Sequence, residues 1–348
     1  MTTRSLAART AALSLVAPLA VLLPASAAEP APVPAPVSQA SAERPAPTGK
    51  RVLAVSVDGL NVRAITRLGR AGAPNLHRLL AEGATTLNAR TAYERTETLP
   101  NHTTMVTGRR IDRRHGGHGV TWNVERPRMT VQKAAGHRVG SVFTAVRKAG
   151  LSTALFTTKS KFRHFQRSWP RAIGRFELDA NNGRLVRSAI VDLTTANRAF
   201  TFLHTSLPDA AGHQHGGMSE QYLAAVRRTD ALLGRVLAAI DAHPLLKREL
   251  VLVLTADHGF RPGSTHHEAA GRPANYKVPF LVWGAGVAHG DLYALNPGDY
   301  RDPGNRRPAY RAVQPIRNGD VANLATDLLG LPAVRGSLFG TAQSLDVS

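Results

Sequence analysis

The chain carries short apolar runs set apart by polar stretches rich in turn formers. Residues 53–57 (LAVSV), 153–157 (TALFT), 199–204 (AFTFLH), 250–254 (LVLVL) and 280–283 (FLVW) are such runs. Their length and content predict buried strands. Between them the period changes. Residues 141–148 (SVFTAVRK) read as a helix closed by Gly150. Over 220–242, apolar residues at Tyr222, Val226, Leu233, Leu237 and Ile240 form one stripe of a long amphipathic helix. Residues 320–329 predict a last helix, ended by Gly330 and Pro332. Strands alternating with helices, without an internal repeat, predict the α/β class. The expected architecture is a three-layer α/β/α sandwich with a largely parallel central sheet.

The N-terminal end follows a different pattern. Residues 1–28 read as a signal peptide: Arg4 and Arg9, an uncharged apolar run over 11–23, then Ala25, Ser26 and Ala27 as small residues for cleavage. The run is short for a membrane span of about 20 residues. Cleavage is therefore expected, with a secreted or envelope-associated product and no transmembrane segment left. Residues 29–50 are rich in proline and alanine. Proline lacks an N–H and clashes inside helices, so this stretch predicts a disordered linker. A catalytic domain is expected over 51–348.

Composition narrows the chemistry. The 348 residues are 43% hydrophobic and 20% charged, which excludes a mainly disordered or collagen-like chain. There is no cysteine, so disulfide frameworks, thiol nucleophiles and iron–sulfur clusters are excluded; 14 histidines remain as soft-metal ligands. Lysine and arginine number 44 against 24 acidic residues, a net charge of +20. That excess favours anionic partners. The arginines are scattered and no basic run is interleaved with aromatics, so nucleic acid is not expected as the main partner.

In parallel sheets, ligands sit beyond the carboxyl ends of the strands. Asp58 follows the first run, Asp209 and His213 follow the third, and Asp257 and His258 follow the fourth. Five metal-competent side chains at equivalent topological places predict one shared site. Residues 96–108 (TETLPNHTTMVTG) predict a helix starting near Thr98 and Pro100. Such a start offers free backbone donors to an anion, and a threonine hydroxyl there becomes a nucleophile only when activated.

VDGL, TLPNH with a following TG, HGVTWN, PDAAGH, ADHG, and His267 ahead of VPFLVWGAG occur in this order. The set resembles the alkaline phosphatase superfamily, and within it the type I phosphodiesterase / nucleotide pyrophosphatase family, over residues 51–337. The resemblance implies two divalent ions, with zinc expected. Asp209, His213 and His267 match one site; Asp58, Thr98, Asp257 and His258 match the other. Carboxylate and imidazole are ordinary zinc ligands. His266 adjoins His267, and Glu268 stands where the family has glycine; the distance to Phe280 favours His267. Asn101 matches an asparagine that donates to a non-bridging phosphoryl oxygen, which suits a diester better than a doubly charged monoester.

The implied reaction is in-line displacement at phosphorus by Thr98, through a phospho-threonine that water then cleaves. The implied partner is a small-molecule or polymer phosphoester. His118 and Asn123 match family positions and read as structural or rim residues. Lys159, in KSKF, reads as part of a solvated basic loop, with a substrate contact as the other reading. A phosphomonoesterase of the same fold, and a non-catalytic metal-containing binder of anionic envelope polymers, are the alternatives. A sulfatase is disfavoured, because TLPNH lacks the modified nucleophile and the arginine of that branch.

Overall fold

The apolar runs become strands with no solvent-facing side: every residue of β1 (Arg51–Val57), and of the strands formed by Thr153–Thr157, Phe200–Thr205 and Leu250–Thr255, is buried. A continuous apolar run demands cover on both faces. The computed structural model describes residues 46–348. The expected signal peptide (1–28), and the linker as far as residue 45, lie outside the described residues.

The other strands are β2 (Ala84–Arg90), β3 (Thr153–Thr157), β4 (Arg175–Leu178), β5 (Phe200–Thr205), β6 (Leu250–Thr255), β7 (Lys277–Gly284) and β8 (Gly290–Asp291). They form one sheet in the order β4-β3-β5-β1-β6-β7-β2-β8. The run from β4 to β6 is parallel throughout. β7 is antiparallel to β6 and to β2, and β8 is parallel to β2. The sheet is thus largely parallel, as expected. β2 (ATTLNAR) and β4 (RFEL) lack an apolar run and were not legible as strands.

Helices cover the sheet. Glu220–Ala242 packs against Val62–Gly72, Pro74–Glu82 and Asn182–Thr195; Val321–Leu328 packs against Val142–Lys148 and Thr98–Thr107. The described residues belong to one compact unit. No helix among them is long and apolar enough to cross a membrane. The expected linker is shorter than 29–50 on its described side. Ala46 is buried, the Thr48 hydroxyl donates to the Leu328 carbonyl at 2.7 Å, and Lys50 Nζ donates to the Ala285 carbonyl at 2.5 Å. These contacts fix residues 46–50 to the domain.

Candidate active site

The four central strands β3, β5, β1 and β6 lie side by side, and the segments leaving their carboxyl ends carry Lys159, Asp209, Asp58 and Asp257 respectively. Backbone hydrogen bonds tie these ends together. The Asp209 N–H donates to the Asp58 carbonyl at 3.2 Å, and the Gly59 N–H donates to Asp257 Oδ1 at 3.1 Å. Tyr222, from the long helix, pins the turn after β1. Its hydroxyl donates to the Gly59 carbonyl and accepts from the Asn61 N–H. A turn held this firmly fixes where the Asp58 carboxylate points.

Three histidines close on the aspartates. Nδ1 of His213 lies 2.9 Å from the Thr265 carbonyl, Nδ1 of His258 lies 3.2 Å from that of Gly259, and Nδ1 of His267 lies 2.6 Å from that of Thr96. A carbonyl only accepts, so each Nδ1 carries the hydrogen and each Nε2 presents a lone pair. Nε2 of His213 and Nε2 of His267 stand 3.3 Å apart, and lie 3.4 and 3.7 Å from Asp209 Oδ1. Two lone pairs and a carboxylate oxygen converging on one point suit a cation. Nε2 of His258 lies 3.4 Å from Asp58 Oδ1, 3.2 Å from Asp257 Oδ2 and 3.8 Å from Asp209 Oδ1, among all three carboxylates.

The expected metal ligands are therefore brought together. Asp58 Oδ1, Asp209 Oδ1, Asp257 Oδ2 and His258 Nε2 are buried without a hydrogen-bond partner. Four orphaned donor atoms in one place would be costly in a protein interior unless a cation met them. Titration points the same way. Burial and the neighbouring Asp58 charge push the Asp257 carboxyl well above its ordinary range. Burial holds the His258 imidazole low and that of His267 at about 3, so both are neutral and able to ligate. His266 is 79% exposed and turns to Glu268; His267 alone of the two faces the site.

Thr98 opens the helix Thr98–Thr107 and is buried. Glu97, at the cap position, makes no side-chain cap bond. The cap comes from a distant loop: Asn123 Oδ1 accepts the Leu99 N–H at 2.9 Å, and Lys161 Nζ donates to the same oxygen at 3.0 Å. Asn101 does not stand ready for a phosphoryl group. Its amide nitrogen donates to the carbonyls of Arg95 (2.8 Å) and Glu97 (3.2 Å), and its oxygen accepts from the Ala92 N–H. Both amide hydrogens go to carbonyls of the loop before Thr98, which departs from the donor role expected of Asn101.

Lys159 also departs from expectation. It is not part of a solvated loop. Its side chain is 19% exposed, and Nζ lies 2.6 Å from both Asp58 Oδ2 and Asp209 Oδ2, and 3.5 Å from Thr98 Oγ1. Burial pushes the Asp58 carboxyl up, but the Lys159 ammonium and His204 outweigh it and hold the group well below its ordinary value. Burial and Asp58 likewise push Asp209 up, and Lys159 and His213 bring it down to about 2. His204 Nε2 lies 2.9 Å from Asp58 Oδ2, and His102 joins Thr98 O (2.8 Å) to Ser56 Oγ (2.7 Å). Neither histidine was assigned from the sequence, because each touches a functional residue through the fold rather than through a motif. His118 is structural as expected: it joins Thr104 Oγ1, on the helix that Thr98 opens, to the Val120 N–H.

The family model for type I phosphodiesterase / nucleotide pyrophosphatase matches residues 52–316. The chain belongs to this family. Membership places it in phosphoester chemistry. Among solved structures, murine ectonucleotide pyrophosphatase / phosphodiesterase 5, in an inactive variant with AMP, superposes with a TM-score of 0.62 at 15% identity, over 86% of this chain and 100% of that one. A 2-O GAG sulfatase superposes with a TM-score of 0.61 at 14% identity, over 86% and 75%. At such identities these neighbours show the fold.

Curated relatives are also similar in part. GPI ethanolamine phosphate transferase 1 of Neurospora crassa is 31% identical over 121 residues, 35% of this chain and 12% of that protein. Its Homo sapiens counterpart is 24% identical over 131 residues, 38% and 14%. The chain thus matches only about an eighth of the length of these relatives.

Proposed function

We propose that the chain is an exported phosphoester hydrolase, acting on phosphodiesters or pyrophosphate diesters through a phospho-threonine at Thr98. One observation carries this reading. Three aspartates, three tautomer-fixed histidines and one helix-start hydroxyl converge where four strand ends meet, and four of their donor atoms are orphaned. Asp209, His213 and His267 would hold one divalent ion, and Asp58, Thr98, Asp257 and His258 a second. Such ions, zinc in our reading, supply positive charge and Lewis acidity at phosphorus when bound.

The chain's own groups do the rest. Thr98 Oγ1, its proton passing to solvent, would bond to phosphorus as the P–O bond to the leaving alcohol or phosphate breaks, and water would then cleave the phospho-threonine and return the hydroxyl; the Lys159 ammonium beside Oγ1 favours the deprotonated oxygen. Asn123 turns its oxygen to Leu99 and Lys161, which leaves its amide hydrogens for a phosphoryl oxygen. We assign it the donor role first expected of Asn101. A neutral amide keeps the preference for a diester. A cleft of about 720 Å3, lined by Arg95, Arg113, Arg114, Trp122, Lys133 and Glu268, adjoins His267 through Glu268 and would seat the leaving group. Export rests on the pattern of residues 1–28.

The test is metal analysis of purified protein with a hydrolysis panel: an aryl phosphodiester, the matching monoester and a glycerophosphoethanolamine diester, with and without chelator. Chelation and Thr98→Ala should each abolish turnover, with metal content kept at one ion or more in Thr98→Ala. Unchanged turnover in Thr98→Ala would overturn the covalent route. Faster monoester turnover would replace the diester reading with a monoesterase.

A further inference from the structure

Lys159 stands at the midpoint of the site, and its contacts divide each carboxylate in two. Asp58 gives Oδ2 to Lys159 and leaves Oδ1 orphaned; Asp209 does the same. The two orphaned oxygens face the histidines, 3.4 Å from His258 Nε2 for Asp58 and 3.4 Å from His213 Nε2 for Asp209. The ammonium is thus bonded to the back of a ligand from each ion position. The sheet order makes this possible: Lys159 leaves β3, and the neighbouring β5 and β1 lead to Asp209 and Asp58. The Lys159 N–H also donates to Thr157 Oγ1, which contacts His204, so the lysine's own loop is tied to the support of Asp58.

We propose that Lys159 is a built-in counter-ion: it holds the two ion sites assembled and at fixed spacing when they are empty, and it lowers their affinity for divalent ions. The inference rests on the two-ion reading of the site. Buried carboxylates this close repel one another and are costly to ionise together. A fixed ammonium between two of them relieves that repulsion without filling either ion position. When ions enter, they meet a positive charge already present, so part of the attraction is cancelled. Stability and affinity are then linked. Whatever Lys159 contributes to the empty protein beyond the loaded protein must appear as weakened ion binding. Besides its contact with Thr98 Oγ1, Lys159 is a positioning residue in this account, acting through Asp58 and Asp209.

The experiment is Lys159→Met compared with the unaltered full chain, by thermal unfolding with and without zinc and by chelator competition. The metal-free variant should melt well below the metal-free parent, while the zinc-loaded pair differ much less. By the same linkage, zinc should bind the variant about tenfold tighter or more. Equal losses in both states, or zinc affinity unchanged or weakened, would overturn the proposal. A parent protein that zinc neither binds nor stabilises would overturn the two-ion reading itself, a distinct result. Should Lys159→Met fail to fold without metal yet fold with zinc, the proposal is supported. If it folds in neither state, Lys159→Arg and Lys159→Gln decide. Arginine should retain parental zinc affinity and glutamine should tighten it; identical affinities would overturn the proposal.

Discussion

Asn123 accepts the Leu99 N–H at 2.9 Å and so caps, from a loop 24 residues away, the helix that begins at Thr98. In the proposed mechanism the same side chain gives its amide hydrogens to a phosphoryl oxygen beside Thr98. Asn123→Ala is expected to lower kcat on a phosphodiester about 100- to 1000-fold. The lost cap should cost about 1 kcal/mol of stability. Steady-state kinetics and urea unfolding check both, with metal content measured alongside. A kcat within about threefold of the parent would return the donor role to another group.

His204 stands behind Asp58, a ligand in the proposed two-ion site. It donates to Asp58 Oδ2 at 2.9 Å, and its other nitrogen sits among Thr157 and Thr158. Removing such a support lowers metal affinity about 10- to 100-fold. His204→Ala should therefore weaken binding at the Asp58 position, read by chelator competition. Its effect is opposite in sign to that expected for Lys159→Met, although both residues hold the same oxygen.

Gly59 has φ +73°, and a Cβ there would stand 2.9 Å from the Asp209 Cα. The backbone after Asp58 and the backbone at Asp209 approach too closely for a side chain. Gly59→Ala should force the two aspartates apart and add strain at a positive φ, on the order of 1–3 kcal/mol. Thermal unfolding should show the loss, and zinc titration should show weaker binding at both positions.

Asp320 is buried near Tyr300 and accepts the Arg317 N–H at 2.7 Å. Burial raises its carboxyl from 3.8 to about 6. A raised carboxylate pKa means the unfolded chain loses its proton first as pH rises. The stabilising contribution is present below 3.8 and is lost as pH rises through about 6. Asp320→Asn titrates nowhere in this range. Relative to the parent, it should gain on the order of 3 kcal/mol on passing from below to above that window. Urea midpoints on both sides of the window measure it; a pH-independent difference would refute it.

Much of the site was legible because its residues follow strand ends in sequence. Asp58, Asp209 and Asp257 each come directly after, or within a few residues of, an apolar run. A run buried on both faces must end where the sheet ends, so its follower reaches the sheet's rim. His213 and His258 share those segments. Thr98 was legible as a helix start because proline follows two residues later. His267 was placed by resemblance alone, and its reciprocal bonds with Thr96 explain the placement: Thr96 Oγ1 donates to the His267 carbonyl and His267 Nδ1 donates to the Thr96 carbonyl.

Three residues were not legible in these terms. Asn123 and Lys159 are defined by which partner each hydrogen-bonding atom meets, and those partners are distant in the chain. Asn101 lies beside Thr98 in sequence, and carbonyls of the loop just before it take its donors. Lys159 sits in a polar stretch, yet the sheet order swings it between two carboxylates.

By itself, the order of apolar runs and polar ends determined the α/β class, the largely parallel sheet and the edge of it that carries chemistry. Strand period and turn residues are local properties, and one chain suffices to specify them. Only the tertiary structure decided how the charges are balanced: which carboxylate oxygens are left without a hydrogen bond, which amide meets local carbonyls, and where the buried ammonium lies. Those depend on the strand order β3-β5-β1-β6, because electrostatic and hydrogen-bond partners are chosen by distance in space and no periodicity in the chain encodes it.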